Sequence, residues 1–127
     1  MNCNVLIVDD SPILRMAIKK VVRLAGVDDD RIFEAGNGKE ALEALEANWI
    51  DLILLDLNMP VMNGEEFVTE LRQHPTLSDA AVVVVSTEAN RERLDRMQAL
   101  GVLETLHKPF EPEDLCRIIN KALGVKA

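Results

Sequence analysis

Residues Asp51–Gly64 read DLILLDLNMPVMNG, an apolar run that delivers one carboxylate, Asp56, and then breaks into a Pro, Asn and Gly loop. The four aliphatic residues Leu52–Leu55 predict a strand covered on both faces, as in a parallel sheet flanked by helices. A covered strand that ends on a charge needs a reason, because an unpaired carboxylate taken out of water is costly. Asp56 is therefore the residue around which the other motifs are read.

Moving outward, Val5–Val8 is a second short apolar run and ends in Asp9-Asp10. Ser11-Pro12 predicts a helix start, with a hydroxyl cap and proline at the first helical position. Ile13, Leu14, Ala17, Ile18, Val21, Val22 and Ala25 recur at helical spacing until Gly26 stops the helix. Arg31–Glu34 is a short strand candidate, and Asn37-Gly38-Lys39-Glu40 resembles a capping box opening the helix that carries Ala41, Leu42, Ala44 and Leu45. Beyond the opening stretch, Glu65–Arg72 predicts a helix ended near His74-Pro75. Ala80–Val85 predicts a strand that runs into Ser86-Thr87-Glu88, and Arg91–Leu100 a helix closed by Gly101. Val102–Leu106 predicts the fifth strand, ending in His107-Lys108-Pro109-Phe110. Pro112–Leu123 is the last helix, with Leu115, Ile118, Ile119 and Ala122 on one face and Cys116 among them as a small hydrophobe.

Strands alternating with helices require crossover connections and hence parallel neighbours. The predicted fold is α/β: a (βα)5 doubly wound, five-stranded parallel sheet in the flavodoxin-like order 2-1-3-4-5. No linker, repeat or low-complexity tract interrupts residues 1–127, which read as one domain.

Composition narrows the function. The chain has 127 residues, 48% hydrophobic and 28% charged, enough to bury a core. A formal net charge of −8 argues against a nucleic-acid surface, which needs a basic patch. No apolar stretch is long enough to span a membrane, and the start MNCNVLIVDDS lacks the features of a signal peptide. A cytoplasmic protein with Cys3 and Cys116 as reduced thiols is expected.

Right-handed crossovers put the end of every strand on one edge of the sheet. That edge collects Asp9 and Asp10 from strand one, Asp56 from strand three, Ser86 from strand four and Lys108 from strand five. Ligands bind doubly wound sheets at this edge, where the strand order reverses. Two like charges about 4 Å apart cost roughly 4 kcal/mol at an effective dielectric of about 20, so three carboxylates call for cations. Lys108 supplies one charge, and hard oxygen donors suit Mg²⁺ or Mn²⁺; a simple salt-bridge cluster is the competing arrangement. A carboxylate beside a metal, a lysine and a hydroxyl is equipped for phosphoryl transfer, with Asp56 as nucleophile.

VDDS (Val8–Ser11), LLDLNMPVMNG (Leu54–Gly64), VVSTEA (Val84–Ala89) and HKPF (His107–Phe110) together resemble a response-regulator receiver domain, from Val5 to the final helix. The resemblance implies that Asp56 is the phospho-acceptor, that Asp9 and Asp10 are the acidic metal pair with Asp10 the more direct ligand, and that Asn58 offers its backbone carbonyl. It implies that Ser86 is the switch hydroxyl, Lys108 the phosphate-contacting lysine, and the bond before Pro109 cis. The family often carries an aromatic three residues before the lysine; here that place holds Thr105 and the chain has no tyrosine. Asn58 and Glu88 resemble the stand-alone chemotaxis regulators, which implies a short-lived phosphate.

The implied function is a stand-alone two-component response regulator, phosphorylated by a histidine kinase or phosphotransfer protein and switching its affinity for an output protein. No output domain is expected after Ala127, no direct nucleic-acid or membrane partner, and no enzymatic activity beyond its own phosphoryl transfer and autodephosphorylation. A Mg²⁺-dependent phosphohydrolase and a phosphorylation-independent protein-binding module are the alternatives. His107 should point away from Lys108 by strand alternation, His74 should lie at a surface helix end, and Met59 and Met62 should pack the loop around Pro60. Trp49, preceding strand three, should lie at the opposite edge of the sheet.

Overall fold

The computed structural model describes residues 2–74, 77 and 79–124. Its strands are β1 (Val5–Val8), β2 (Ile32–Ala35), β3 (Leu52–Leu55), β4 (Ala81–Ser86) and β5 (Glu104–His107). Its α-helices are α1 (Pro12–Leu24), α2 (Gly38–Ala47), α3 (Gly64–Arg72), α4 (Arg91–Ala99) and α5 (Pro112–Ala122). All neighbouring strands are parallel and run in the order β2-β1-β3-β4-β5, as predicted.

Strand alternation divides the core into two layers. Leu6, Val8, Ile53, Leu55, Val82 and Val84 face one side of the sheet, where Leu45, Phe67, Leu71 and Met97 of α2, α3 and α4 cover them. Val5, Ile7, Leu52, Leu54, Val83 and Val85 face the other, beneath Ile18 and Val22 of α1 and Leu115, Ile118 and Ile119 of α5. β1 and β3 are fully buried along their length, which is why their sequences show no polar alternation. Cys116 packs at the margin of the second layer, and both cysteines are free.

The helix starts follow the local chemistry. Ser11 Oγ accepts from the Leu14 N–H, with Pro12 in the first turn. Asn37 caps α2 through the Glu40 N–H, but the Glu40 carboxylate reaches past it to the Gly36 N–H at 2.8 Å, so the expected box closes one residue early. A complete reciprocal box stands instead at α3, between Asn63 and Glu66. The expected stop at Pro75 lies outside the described residues, and α3 ends at Arg72.

Three strands are displaced from their predicted spans. β2 and β4 each lie one residue later than the apolar pattern suggests. β5 is Glu104–His107 rather than Val102–Leu106. Val102 is buried as a plug after α4, Leu103 is exposed, and the ladder to β4 pairs Val83 with Glu104 and Ser86 with His107. Pairing with β4, not hydrophobicity, sets the limits of this edge strand.

Candidate functional site

The register of the sheet brings the site together. β1 and β3 pair with Val8 opposite Leu55, so the next residue of each is a carboxylate, Asp9 and Asp56. The Asp56 N–H donates to Val8 O at 2.9 Å, and on the other flank the Lys108 N–H donates to Ser86 O at 2.9 Å. Among the described residues the buried polar side chains are Asp9, Asp56, Ser86 and Lys108, all at this edge. Apolar packing elsewhere and polar burial here mark the edge as a place for chemistry.

Lys108 Nζ lies 2.7 Å from Asp9 Oδ2 and 3.6 Å from Asp56 Oδ2. Asp9 Oδ1 accepts the Ser11 N–H at 2.9 Å, so both of its oxygens are engaged. Asp56 is held more loosely: its Oδ1 accepts the Asn58 N–H at 3.4 Å. Asp10 is exposed, yet one oxygen from each of Asp9, Asp10 and Asp56 falls within 4.8 Å of the others. One lysine against three carboxylates leaves an excess of negative charge on hard oxygen donors, a set that fits a small divalent cation. Asp10, with no contact to Lys108, has the freest carboxylate to offer it.

Ser86 Oγ accepts the Glu88 N–H at 3.2 Å, so the hydroxyl proton is available to another acceptor. His107 is exposed while Lys108 is buried, the alternation expected of them, and the Lys108–Pro109 peptide is cis. Thr105 lies half-buried in β5 opposite Val84. His74 is exposed beyond the end of α3 and lies 3.7 Å from Glu70. Trp49 is 61% exposed at the opposite edge, where its indole N–H donates to Asp51 Oδ1 at 3.2 Å.

The loop after Asp56 is built tightly. Met59 is buried and Met62 packs against the same core layer. Val61 has φ +67 and the Met62 N–H donates to Pro60 O at 2.7 Å, a γ-turn that is rare for a β-branched residue. A Cβ on Gly64 would stand 2.6 Å from Asp56 O, so the loop returns past the aspartate only because residue 64 has no side chain.

Arg93, which no sequence motif singled out, occupies the mouth of the site. Its Nη1 donates to Asn58 Oδ1 at 2.7 Å and lies 3.4 Å from Glu88 Oε2, while Nη2 donates to Leu57 O at 3.0 Å. Its Nε lies 3.7 Å from Glu65 Oε1, and Arg96 binds the same carboxylate bidentately at 2.8 and 3.1 Å. The hydrogen bonds from Arg96 hold the Glu65 carboxyl below its ordinary value, helped by the nearby charges of Arg96 and Arg93. A signal for Arg93 existed in the sequence. Two arginines in the first turn of α4 oppose the helix dipole, a conflict that invites external anions.

This arrangement defines a class: a doubly wound α/β domain with an acidic site at its switch point and a lysine delivered from the end of the edge strand β5. Residues 5–120 match the model of the response regulator receiver domain, and the chain belongs to that family of two-component signalling proteins. It is 39% identical over 118 residues to the nitrate/nitrite response regulator protein NarL of Escherichia coli K12, covering 93% of this chain and 53% of that protein. The chain thus spans about half the length of that relative. It is 34% identical over 120 residues to a chemotaxis protein CheY homolog of Campylobacter jejuni, covering 94% of this chain and 91% of the other. The solved structure of Vibrio cholerae chemotaxis protein CheY4 superposes with a TM-score of 0.85 at 33% identity, covering 95% of this chain and 98% of that one. No helix of the described residues is long and apolar enough to cross a membrane.

Proposed function

We propose that this chain acts as a response-regulator receiver that accepts a phosphoryl group on Asp56 from a phosphohistidine of a kinase or phosphotransfer protein. The observation that carries the reading is the loosely held Asp56 carboxylate, buried at the end of β3 with Lys108 Nζ at 3.6 Å and Asp9 and Asp10 beside it. An Asp56 oxygen attacks phosphorus, the bond from phosphorus to the histidine nitrogen breaks, and the electron pair leaves with the imidazole. Lys108 neutralises charge on the phosphoryl oxygens, and the Ser86 hydroxyl donates to one of them. Asp9, Asp10, Asp56 and the Asn58 carbonyl are the groups that would hold Mg²⁺, which supplies charge stabilisation for the transfer.

The product adds about −1.5 to −2 charges and new acceptor oxygens at the mouth of the site. That change re-aims the segment after Ser86 and alters affinity for an output protein. Incubation with Mg²⁺ and a small acyl phosphate, followed by intact-mass measurement, tests the reading: a single labile phosphate is expected, absent in Asp56→Ala. No adduct at any Mg²⁺ concentration would overturn it, and steady turnover of a phosphoester would identify a hydrolase instead.

A further inference from the structure

The chain lacks an aromatic at Thr105 to carry a signal from the Ser86 hydroxyl towards the surface, yet the structure contains another continuous route. The Asn58 N–H touches Asp56 Oδ1, and the Asn58 side chain accepts from Arg93. Arg93 in turn lies against Glu88, and the Glu88 N–H bonds to Ser86 Oγ. The circuit therefore starts at the acceptor carboxylate, crosses the mouth of the site through one guanidinium, and returns to the hydroxyl. Its midpoint belongs to the first turn of α4.

Resting on the proposed function above, we propose that Arg93 is the positioning residue that couples the state of Asp56 to α4. Two features support the assignment. The Arg93 side chain is only 19% exposed and reaches acceptors on three segments: the loop after β3, the loop after β4, and Glu65 of α3. Nothing else in the described part of α4 bonds to the β3–α3 loop residues Leu57 or Asn58. The guanidinium also has a reason to change partners. Unphosphorylated, it faces the carboxylates of Glu65 and Glu88. A phosphoryl group on Asp56 adds acceptor oxygens beside Asn58 and draws the Ser86 hydroxyl, with Glu88 attached through its amide. Either event weakens the present set of contacts, so the two states differ in what holds the start of α4.

A lysine cannot replace this function, because a single ammonium lacks the planar fork that meets Asn58, Leu57 O and Glu88 together. The test compares wild type, Arg93→Ala and Arg93→Lys, each phosphorylated with acyl phosphate and Mg²⁺ and checked by intact mass. Amide hydrogen exchange is then followed along Arg91–Ala99 with and without the phosphate. The expected result is a phosphorylation-dependent change in α4 of the wild type that is lost in both variants, although both still carry the phosphate. A wild-type response retained in either variant would overturn the coupling role of the fork, and so would a wild-type α4 that does not respond. Absence of the adduct in the wild type itself would instead overturn the phosphorylation reading on which the coupling rests.

Discussion

One strand separates two aspartates that behave as opposites. Asp51, just before β3, is tied down: Oδ2 accepts the Asn4 N–H at 2.8 Å and Oδ1 the Trp49 indole. Asp56, just after β3, has its nearest partners at 3.4 and 3.6 Å and shares its surroundings with two further carboxylates. The first aspartate spends its acceptors on closing the sheet's starting edge, and the second engages its acceptors only loosely. Reactivity is thus located by which end of the strand a residue ends up on, and not by residue type.

The strongest test of this contrast is chemical. Asp56→Asn is expected to abolish the phosphate adduct in intact-mass measurements, whereas Asp51→Asn leaves it in place; loss of the adduct in both would dissolve the distinction. The next effect is on stability. Lys108→Met leaves Asp9 and Asp56 buried with no cation and should lower unfolding free energy by about 3 kcal/mol in metal-free urea titrations, with Mg²⁺ restoring part of the loss. Asp51→Ala should cost about 1 kcal/mol, with no response to Mg²⁺, because only local hydrogen bonds are lost.

A smaller effect concerns acid. Glu65, beside the site, has its carboxyl held by Arg96 below the ordinary 4.5. Its stabilisation is present above that value and is lost as pH falls through the lower folded value. Arg96 is 55% exposed, so solvent screening keeps the contribution small. Glu65→Gln should flatten the acid limb of the unfolding midpoint against pH, and an unchanged limb would remove this ion pair from the account. Asp29, at the opposite edge, is also held low by a hydrogen bond from Arg23 but stands in open solvent, so Asp29→Asn should move the same limb less. The smallest expected change is none: Trp49 fluorescence should ignore Mg²⁺, and a quench that disappears in Asp56→Asn would contradict its place at the far edge.

Much of this was legible from residue order. Leu52–Leu55 and Val5–Val8 announced buried parallel strands because both faces are covered, and strand ends then had to share one edge. The juxtaposition of Asp9, Asp10, Asp56, Ser86 and Lys108 follows from that topology alone. β5 was misplaced because Val102 is apolar for a reason unrelated to the sheet, and an edge strand needs only one row of partners. The Asn63–Glu66 box is masked in the sequence because the start of α3 lies inside the Pro60–Gly64 loop. Arg93 shows in the sequence only as a misplaced charge at the start of α4, and its role stays hidden for a deeper reason. Its acceptors, Leu57, Asn58, Glu65 and Glu88, lie on other segments and include a backbone carbonyl that no motif can encode.

Gly38 gives the site an asymmetry. Its N–H donates to Met62 O at 2.9 Å, and a Cβ there would fall 2.6 Å from Met62 Cγ and 2.9 Å from the same carbonyl. The loop that carries Asn58 is therefore berthed against the start of α2 by backbone-to-backbone contact, with no side chain to swing aside. On its other flank, among the described residues, the hydrogen bonds from α4 to the loop come from one long, rotatable arginine. One bank of the cleft is fixed masonry and the other is a drawbridge, so changes in signalling lifetime or partner choice are expected to accumulate on the α4 bank, where a substitution alters a tether without dislodging the wall.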